Sequence, residues 1–163
     1  MQKSLHDQSP NQIPRPALWL GVGGLIPFLA LPVLVALDGA VALPEIVRAH
    51  ATVPALALYA AVILSFMGGA QWGVAMRSVD ETTAVTWRRY GVSVVPAILA
   101  WVALLLPMRA GLITLSTGFV LLLIYDLWTV RQDEVPGWYE RFRLGLTTVV
   151  VISLTITLVA LTQ

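Results

Sequence analysis

Five long apolar stretches occupy most of this 163-residue chain. An α-helix rises 1.5 Å per residue, so about 20 apolar residues cross the ~30 Å hydrocarbon core of a membrane. Each stretch is long enough for one crossing, and Asp126 is the one formal charge inside them. The stretches cover residues 17–37, 53–76, 90–106, 110–128 and 144–162. The pattern predicts an all-α integral membrane bundle of five transmembrane helices.

The composition agrees with a membrane protein and leaves little room for a second domain. The chain is 58% hydrophobic and 12% charged, whereas soluble domains carry about 25% charged residues. We predict a polar cytoplasmic N-terminal tail over residues 1–16 and one transmembrane domain over residues 17–163. The net charge of +1 does not suggest a nucleic-acid partner, and the absence of Cys excludes disulfides and thiolate ligands. The predicted partner is the lipid bilayer, with a larger membrane complex or a homo-oligomer left open.

Basic residues are concentrated on alternate connections between the stretches. Eight of the ten Lys and Arg residues fall on one predicted side and two on the other. By the positive-inside rule, this bias places the N-terminus in the cytoplasm and the C-terminus outside. The tail lacks the Arg-rich, acid-free character of a mitochondrial presequence, so we predict a multi-pass protein of the bacterial inner membrane. The eight are Lys3, Arg15, Arg77, Arg88, Arg89, Arg131, Arg141 and Arg143, and the two are Arg48 and Arg109.

Asp126 and Gln71 are the polar residues expected inside the membrane near its cytoplasmic face. An ionised carboxylate in hydrocarbon costs at least ~2.5 kcal/mol, so Asp126 should face the bundle and meet an Arg. The candidate partners are Arg77, Arg88, Arg89, Arg131 and Arg143. A buried Gln71 must also be hydrogen-bonded. A structural pair is one interpretation, and a ligand or proton site with Trp72, Tyr125 and Trp128 as aromatic neighbours is the other.

Small residues recur at every fourth position of the second stretch. Ala57, Ala61, Ser65, Gly69 and Gly73 should therefore share one helix face. Such a ridge lets two helices approach closely. We expect Ser65, Gly69 and Gly73 to pack against another helix of the chain, with a second copy of the chain as the alternative.

The first stretch should form a bent helix. It contains Gly21, Gly23 and Gly24 together with Pro27 and Pro32. Glycine permits close helix approach, and an internal Pro removes a backbone hydrogen bond and kinks the helix. The bend serves packing or opens a cavity.

Motifs of known enzyme chemistry are absent from the sequence. His6 and His50 are predicted on opposite sides of the membrane, so they cannot share a metal or a haem. No HExxH, GxSxG or Walker-type loop occurs. We predict a protein without catalytic residues, metal or cofactor, which acts as an accessory subunit or binds a lipophilic ligand. The alternative is a small transporter or channel protomer that works as an oligomer, with Asp126 and Gln71 along its path.

Three sequence segments resemble a known family. They are YAAVILSFMGGAQWGVAM at Tyr59–Met76, YDLW at Tyr125–Trp128, and a W-x-x-x-F-R-x-x-L-T pattern at Trp138–Thr147. They resemble the transmembrane-protein-69-like family of bacterial and mitochondrial inner-membrane proteins, whose function is unknown. The most specific part is SF-x-GG-x-x-WG at residues 65–73, where this chain has Gln71 at a position that is often His or Arg in the family. The resemblance implies a small inner-membrane protein and supplies no catalytic residues.

Overall fold

The computed structural model describes residues 12–37, 44–46, 52–76, 83–132 and 136–161. Six long helices account for most of these ranges: α1 (Arg15–Gly23), α2 (Ile26–Leu37), α3 (Val53–Ala75), α4 (Thr83–Leu105), α5 (Met108–Arg131) and α6 (Trp138–Ala160). Together α1 and α2 form one span, and each of the other four helices forms another. All five are long and apolar enough to cross a membrane, which confirms the predicted all-α bundle of five spans.

Two helices begin six or more residues earlier than their apolar stretches. Helix α4 begins at Thr83 rather than at residue 90, and α6 begins at Trp138 rather than at residue 144. Apolar patterning misses both starts because the first turns carry aromatic and charged residues, which suit the headgroup region of a membrane. The interpretation of Asp126 as the one charge inside the spans is therefore wrong, since Arg143 also lies within α6.

Side chains from other helices stabilise the bent first span. A turn at Gly24 and Leu25 separates α1 from α2, and the Tyr59 hydroxyl donates a hydrogen bond to the Gly24 carbonyl oxygen at 3.0 Å. Pro32 has no N–H, so it cannot donate to the Phe28 carbonyl one turn earlier. The Ser153 hydroxyl donates to that carbonyl instead, at 2.5 Å. Helices α3 and α6 thus satisfy backbone groups for which lipid offers no partner.

The buried core lies among α2, α3, α4, α5 and α6. Phe28, Leu64, Leu115, Phe119 and Leu154 are among its fully buried side chains. Helix α1 differs, because none of its residues is buried and Trp19 and Leu20 are largely exposed. A space therefore remains between α1 and the core.

Gly68 is the close-packing glycine of α3. A Cβ atom at Gly68 would lie 2.7 Å from the carbonyl oxygen of Ser93 and 3.1 Å from the Pro96 ring. By contrast, a Cβ atom at Gly69 or Gly73 would meet no other described group within 4 Å. Within the described ranges, therefore, no other helix packs directly against Gly69 or Gly73, and packing against a second copy of the chain stays a prediction.

Helix geometry explains why the small-residue ridge changes environment along α3. A helix turns about 100° per residue, so residues four apart drift by about 40° around the axis at each step. Ala57 and Ala61 are buried, Ser65 is half-buried and Gly69 is exposed. The Ser65 hydroxyl donates a hydrogen bond within its own helix, to the Ala61 carbonyl oxygen at 2.8 Å. The ridge thus leaves the core between Ala61 and Gly69, while Gly73 is again half-buried.

Candidate functional site

A buried ion pair joins the last two helices. The Arg143 Nε atom on α6 lies 2.5 Å from the Asp126 Oδ2 atom on α5, and both side chains are only 2% exposed. Asp126 lies five residues before the end of α5 at Arg131, and Arg143 lies five residues after the start of α6 at Trp138. The two antiparallel helices therefore bring both residues to the same depth. Of the candidate arginines that the structure describes, Arg143 is the one that it places on Asp126.

Further side chains complete the coordination of Asp126. The Gln71 side-chain amide on α3 donates to Oδ1, the second carboxylate oxygen, and Tyr139 directs its hydroxyl to the same carboxylate. The Arg143 Nη1 atom contacts the Met67 sulfur at 2.6 Å. We call Gln71, Asp126, Tyr139 and Arg143 the Asp126 cluster. Its polar contacts join α3, α5 and α6 inside the bundle, where lipid offers no hydrogen-bond partner.

Two buried polar atoms beside the cluster have no hydrogen-bond partner among the described residues: Arg143 Nη2 and Thr147 Oγ1. For the Thr147 hydroxyl the missing partner is unusual, because several other hydroxyls in the spans donate a hydrogen bond to the carbonyl oxygen one turn earlier. Those residues are Ser65, Thr114, Ser116, Thr148, Thr155 and Thr157. A buried polar group without a partner costs roughly 1–3 kcal/mol. The structure therefore leaves donor capacity open at Arg143 and Thr147.

Both residues line a cavity of about 510 Å³ behind α1. Its remaining walls are apolar and come from both halves of the first span, α3, α5 and α6; they include Leu20, Phe28, Phe66, Met67, Phe119 and Val150. Gly21 and Gly24 also line the cavity, and the Phe142 ring packs directly against Gly21. The volume falls within the range of about 300–1,000 Å³ typical of small-molecule sites.

The predicted aromatic neighbours lie elsewhere. The Trp72 ring contacts the Tyr90 ring at 4.8 Å, and the Tyr125 and Trp128 rings are 5.8 Å apart. The Arg88 guanidinium lies 4.6 Å from the centre of a Trp128 ring, a cation–π geometry. Trp72, Tyr125 and Trp128 are not among the residues that line the cavity. A ligand site formed by these three aromatic residues is therefore distinct from this cavity and stays a prediction.

The other candidate partners of Asp126 are dispersed. Arg131 is exposed at the end of α5, and Arg89 is half-buried on α4. Arg77 lies outside the described residues. Within the described ranges, no three His, Asp or Glu side chains come close enough to hold a metal ion. The Asp126 cluster and the adjacent cavity offer hydrogen bonds and apolar contacts.

Sequence reasoning missed Tyr139 and Thr147 as site residues. Together with Arg143 they recur every four residues, and they face the Asp126 cluster and the cavity from one side of α6. Extending the last predicted helix back to Trp138 would have placed all three on a common face. No comparable signal exists for Met67, whose position depends on how α3 packs against α6.

The comparisons with known proteins agree with the observed fold. The family model described as "Protein of unknown function (DUF3429)" matches residues 13–159. Transmembrane protein 69 of Xenopus tropicalis is 37% identical over 143 residues, which are 86% of this chain and 53% of that protein. Transmembrane protein 69 of Mus musculus is 28% identical over 152 residues, which are 90% of this chain and 56% of that protein.

This chain spans about half the length of these curated relatives. No solved structure matches it. The family match extends from the residues before α1 to the end of α6, and it confirms the resemblance to transmembrane-protein-69-like proteins. The chain therefore belongs to the DUF3429 family of proteins of unknown function.

Proposed function

We propose that this protein is a non-enzymatic membrane protein that binds one lipophilic molecule in the cavity behind α1. The observation that carries the proposal is the cavity itself, with its apolar walls and its two buried polar residues, Arg143 and Thr147. Phe66 lines this cavity and is also 69% exposed on the outside of the bundle. A molecule dissolved in the bilayer can therefore enter from the side without crossing water.

The contacts of the first span hold α1 beside the bundle without filling the cavity. Helix α1 buries none of its own residues, and Tyr59 donates a hydrogen bond to Gly24 at the turn between α1 and α2. At Gly21, a Cβ atom would overlap the ring of Phe142, which also lines the cavity. A bulkier residue at Gly21 would push α1 and α6 apart, so glycine there sets the distance between α1 and the rest of the bundle.

Affinity in such a cavity must come from fit and from polar contacts. Lipid tails are as apolar as the cavity wall, so moving a ligand from the bilayer into the protein gains little hydrophobic free energy. Shape complementarity and hydrogen bonds remain as the sources of preference. This reasoning supports a binding role for a particular molecule rather than general retention of bilayer lipid.

A pair of matched substitutions on α6 tests the proposal. Leu146 lines the cavity, whereas Leu144 is exposed on the same helix. The full chain would be extracted in mild detergent and analysed by native mass spectrometry for a bound hydrophobic molecule. We expect Leu146→Trp to fill the cavity and abolish binding, and Leu144→Trp to retain it.

Two results would count against ligand binding. One is a wild-type protein that is empty after mild extraction and after incubation with membrane lipid extract. The other is equal occupancy in both Trp variants. Size-exclusion chromatography checks that each variant is folded, since overpacking costs about 1–3 kcal/mol. A stoichiometric complex with other proteins and without a bound lipophile would favour the accessory-subunit role instead.

We also propose a bacterial inner-membrane location, with the N-terminus in the cytoplasm and the C-terminus of this chain outside. The support is the distribution of basic residues. Because Arg143 is buried in the ion pair, it should be left out of the loop count, and the bias of eight to two becomes seven to two. Reporter fusions at Gln163 and in the connection 77–82 test the orientation. A cytoplasmic reporter signal at Gln163 would contradict it.

A further inference from the structure

We infer that the molecule in the cavity carries a neutral carbonyl group, which accepts hydrogen bonds from Arg143 Nη2 and Thr147 Oγ1. This inference rests on the proposed function and names the chemical class of its ligand: a long apolar body with a ketone, quinone or ester carbonyl at one end. It derives from the two buried polar atoms without partners and from the charge already present beside them.

The free positions at this site are donors. Arg143 has no acceptor atom, and its Nε and Nη1 atoms already contact Asp126 and Met67, which leaves Nη2. Thr147 lies one turn further along α6 on the same face, a spacing that brings side chains within about 5–6 Å. Both residues line the cavity and both are only 2% exposed. A group that satisfies both must contain a hydrogen-bond acceptor.

The acceptor should be neutral because Asp126 already balances the charge of Arg143. A carboxylate or phosphate bound at Nη2 would place a second negative charge close to Asp126. Repulsion between like charges is strong where water is scarce. A carbonyl oxygen accepts the same hydrogen bonds without adding charge.

The depth of the donor pair also disfavours a phospholipid headgroup. Arg143 lies about 7.5 Å along the helix axis from Trp138, and Thr147 lies about 13.5 Å from it. Arg131 and Arg141 lie nearer the ends of their helices than Arg143 does, at the level where lipid phosphates are expected. A carbonyl attached directly to an apolar body fits a donor pair placed deeper than the phosphates.

A ligand series with one chain length separates the possible head groups. The delipidated full chain would be titrated with hexadecane, methyl palmitate and palmitate, and occupancy measured by native mass spectrometry. Decylubiquinone forms a fourth arm, which distinguishes a quinone from an ester as the source of the carbonyl. We expect methyl palmitate, decylubiquinone or both to bind about 30-fold more tightly than hexadecane or palmitate, as two net hydrogen bonds worth about fivefold each predict.

Substitutions at Thr147 and Arg143 test the named donors. Thr147→Val removes the hydroxyl while keeping the shape, and no hydrogen bond among the described residues is lost. We expect this variant to fold normally and to bind the preferred carbonyl ligand about fivefold more weakly, with hexadecane binding unchanged. Thr147→Ser should retain the preference, and Arg143→Lys, which keeps a cation for Asp126 but lacks Nη2, should reduce it.

The outcomes separate this inference from the proposed function. If all four molecules bind the wild-type protein equally and Leu146→Trp abolishes their binding, the cavity binds lipophiles but the carbonyl inference is overturned. Palmitate binding more tightly than methyl palmitate would also overturn it, as would an unchanged carbonyl preference in Thr147→Val. If no molecule binds the wild-type protein, the proposed function itself fails.

Discussion

We expect Arg143→Met to destabilise this protein strongly, because it leaves the Asp126 carboxylate buried without its cation. Both side chains of the pair are 2% exposed, so neither charge can turn to water without moving a helix. Removing one member of a buried ion pair costs about 3–5 kcal/mol. Gln71 still donates to Asp126 in the variant, which favours the lower end of that range. Asp126→Asn should cost a similar amount, since it leaves the guanidinium without an anion.

The double variant gives a sharper expectation than either single variant. Asp126→Asn combined with Arg143→Met removes both charges, and replacing a buried pair by neutral groups is often close to neutral in stability. The double variant should therefore be no less stable than either single variant. Independent sites would give the sum of the two losses, so the measured coupling should be about 3 kcal/mol or more.

Equilibrium unfolding in lipid–detergent bicelles, followed by Trp fluorescence with SDS as denaturant, measures these differences. Arg141→Met is the matched control, because Arg141 lies two residues away on α6 and is exposed. We expect no clear change in the control. A loss below about 1 kcal/mol for Arg143→Met, or a double variant whose loss equals the sum of the singles, would refute the reasoning.

Two further substitutions test how the helices are held together. Gly68→Ala should lower the melting temperature in detergent by several degrees, because its Cβ would lie 2.7 Å from the Ser93 carbonyl oxygen. The control Gly69→Ala has open space around the new Cβ and should have little effect. Equal effects of the two substitutions would mean that α4 does not approach α3 at Gly68. Ser153→Ala removes the hydrogen-bond donor of the Phe28 carbonyl, so the free energy of unfolding in the same bicelle assay should fall by about 1–3 kcal/mol. An unchanged stability would show that another group satisfies that carbonyl.

The amino-acid sequence determined the number of spans and the inward position of Asp126. Crossing hydrocarbon requires about 20 apolar residues in an unbroken run, and five such runs are evident without any structure. The cost of an exposed carboxylate in lipid directs Asp126 toward the bundle whatever the details of packing. The family pattern around Gly68 and Trp72 likewise follows from sequence alone.

Helix contacts were less accessible to sequence reasoning. The four-residue spacing suggested Gly69 and Gly73, but contact depends on where a neighbouring helix crosses, and α4 crosses at Gly68. The choice of Arg143 over Arg88, Arg89 and Arg131 depended on the start of α6, which hydropathy placed six residues too late.

The cavity and its unpaired donors were decided by tertiary structure alone. A cavity is the space left between helices, and no residue type or spacing encodes that space locally. Thr147 resembles other threonines of the spans in sequence, and only packing shows that its hydroxyl, unlike those of Thr148 and Thr155, has no partner among the described residues. Helix formation in a membrane depends on local composition, whereas the geometry of a site depends on distances between segments far apart in the chain.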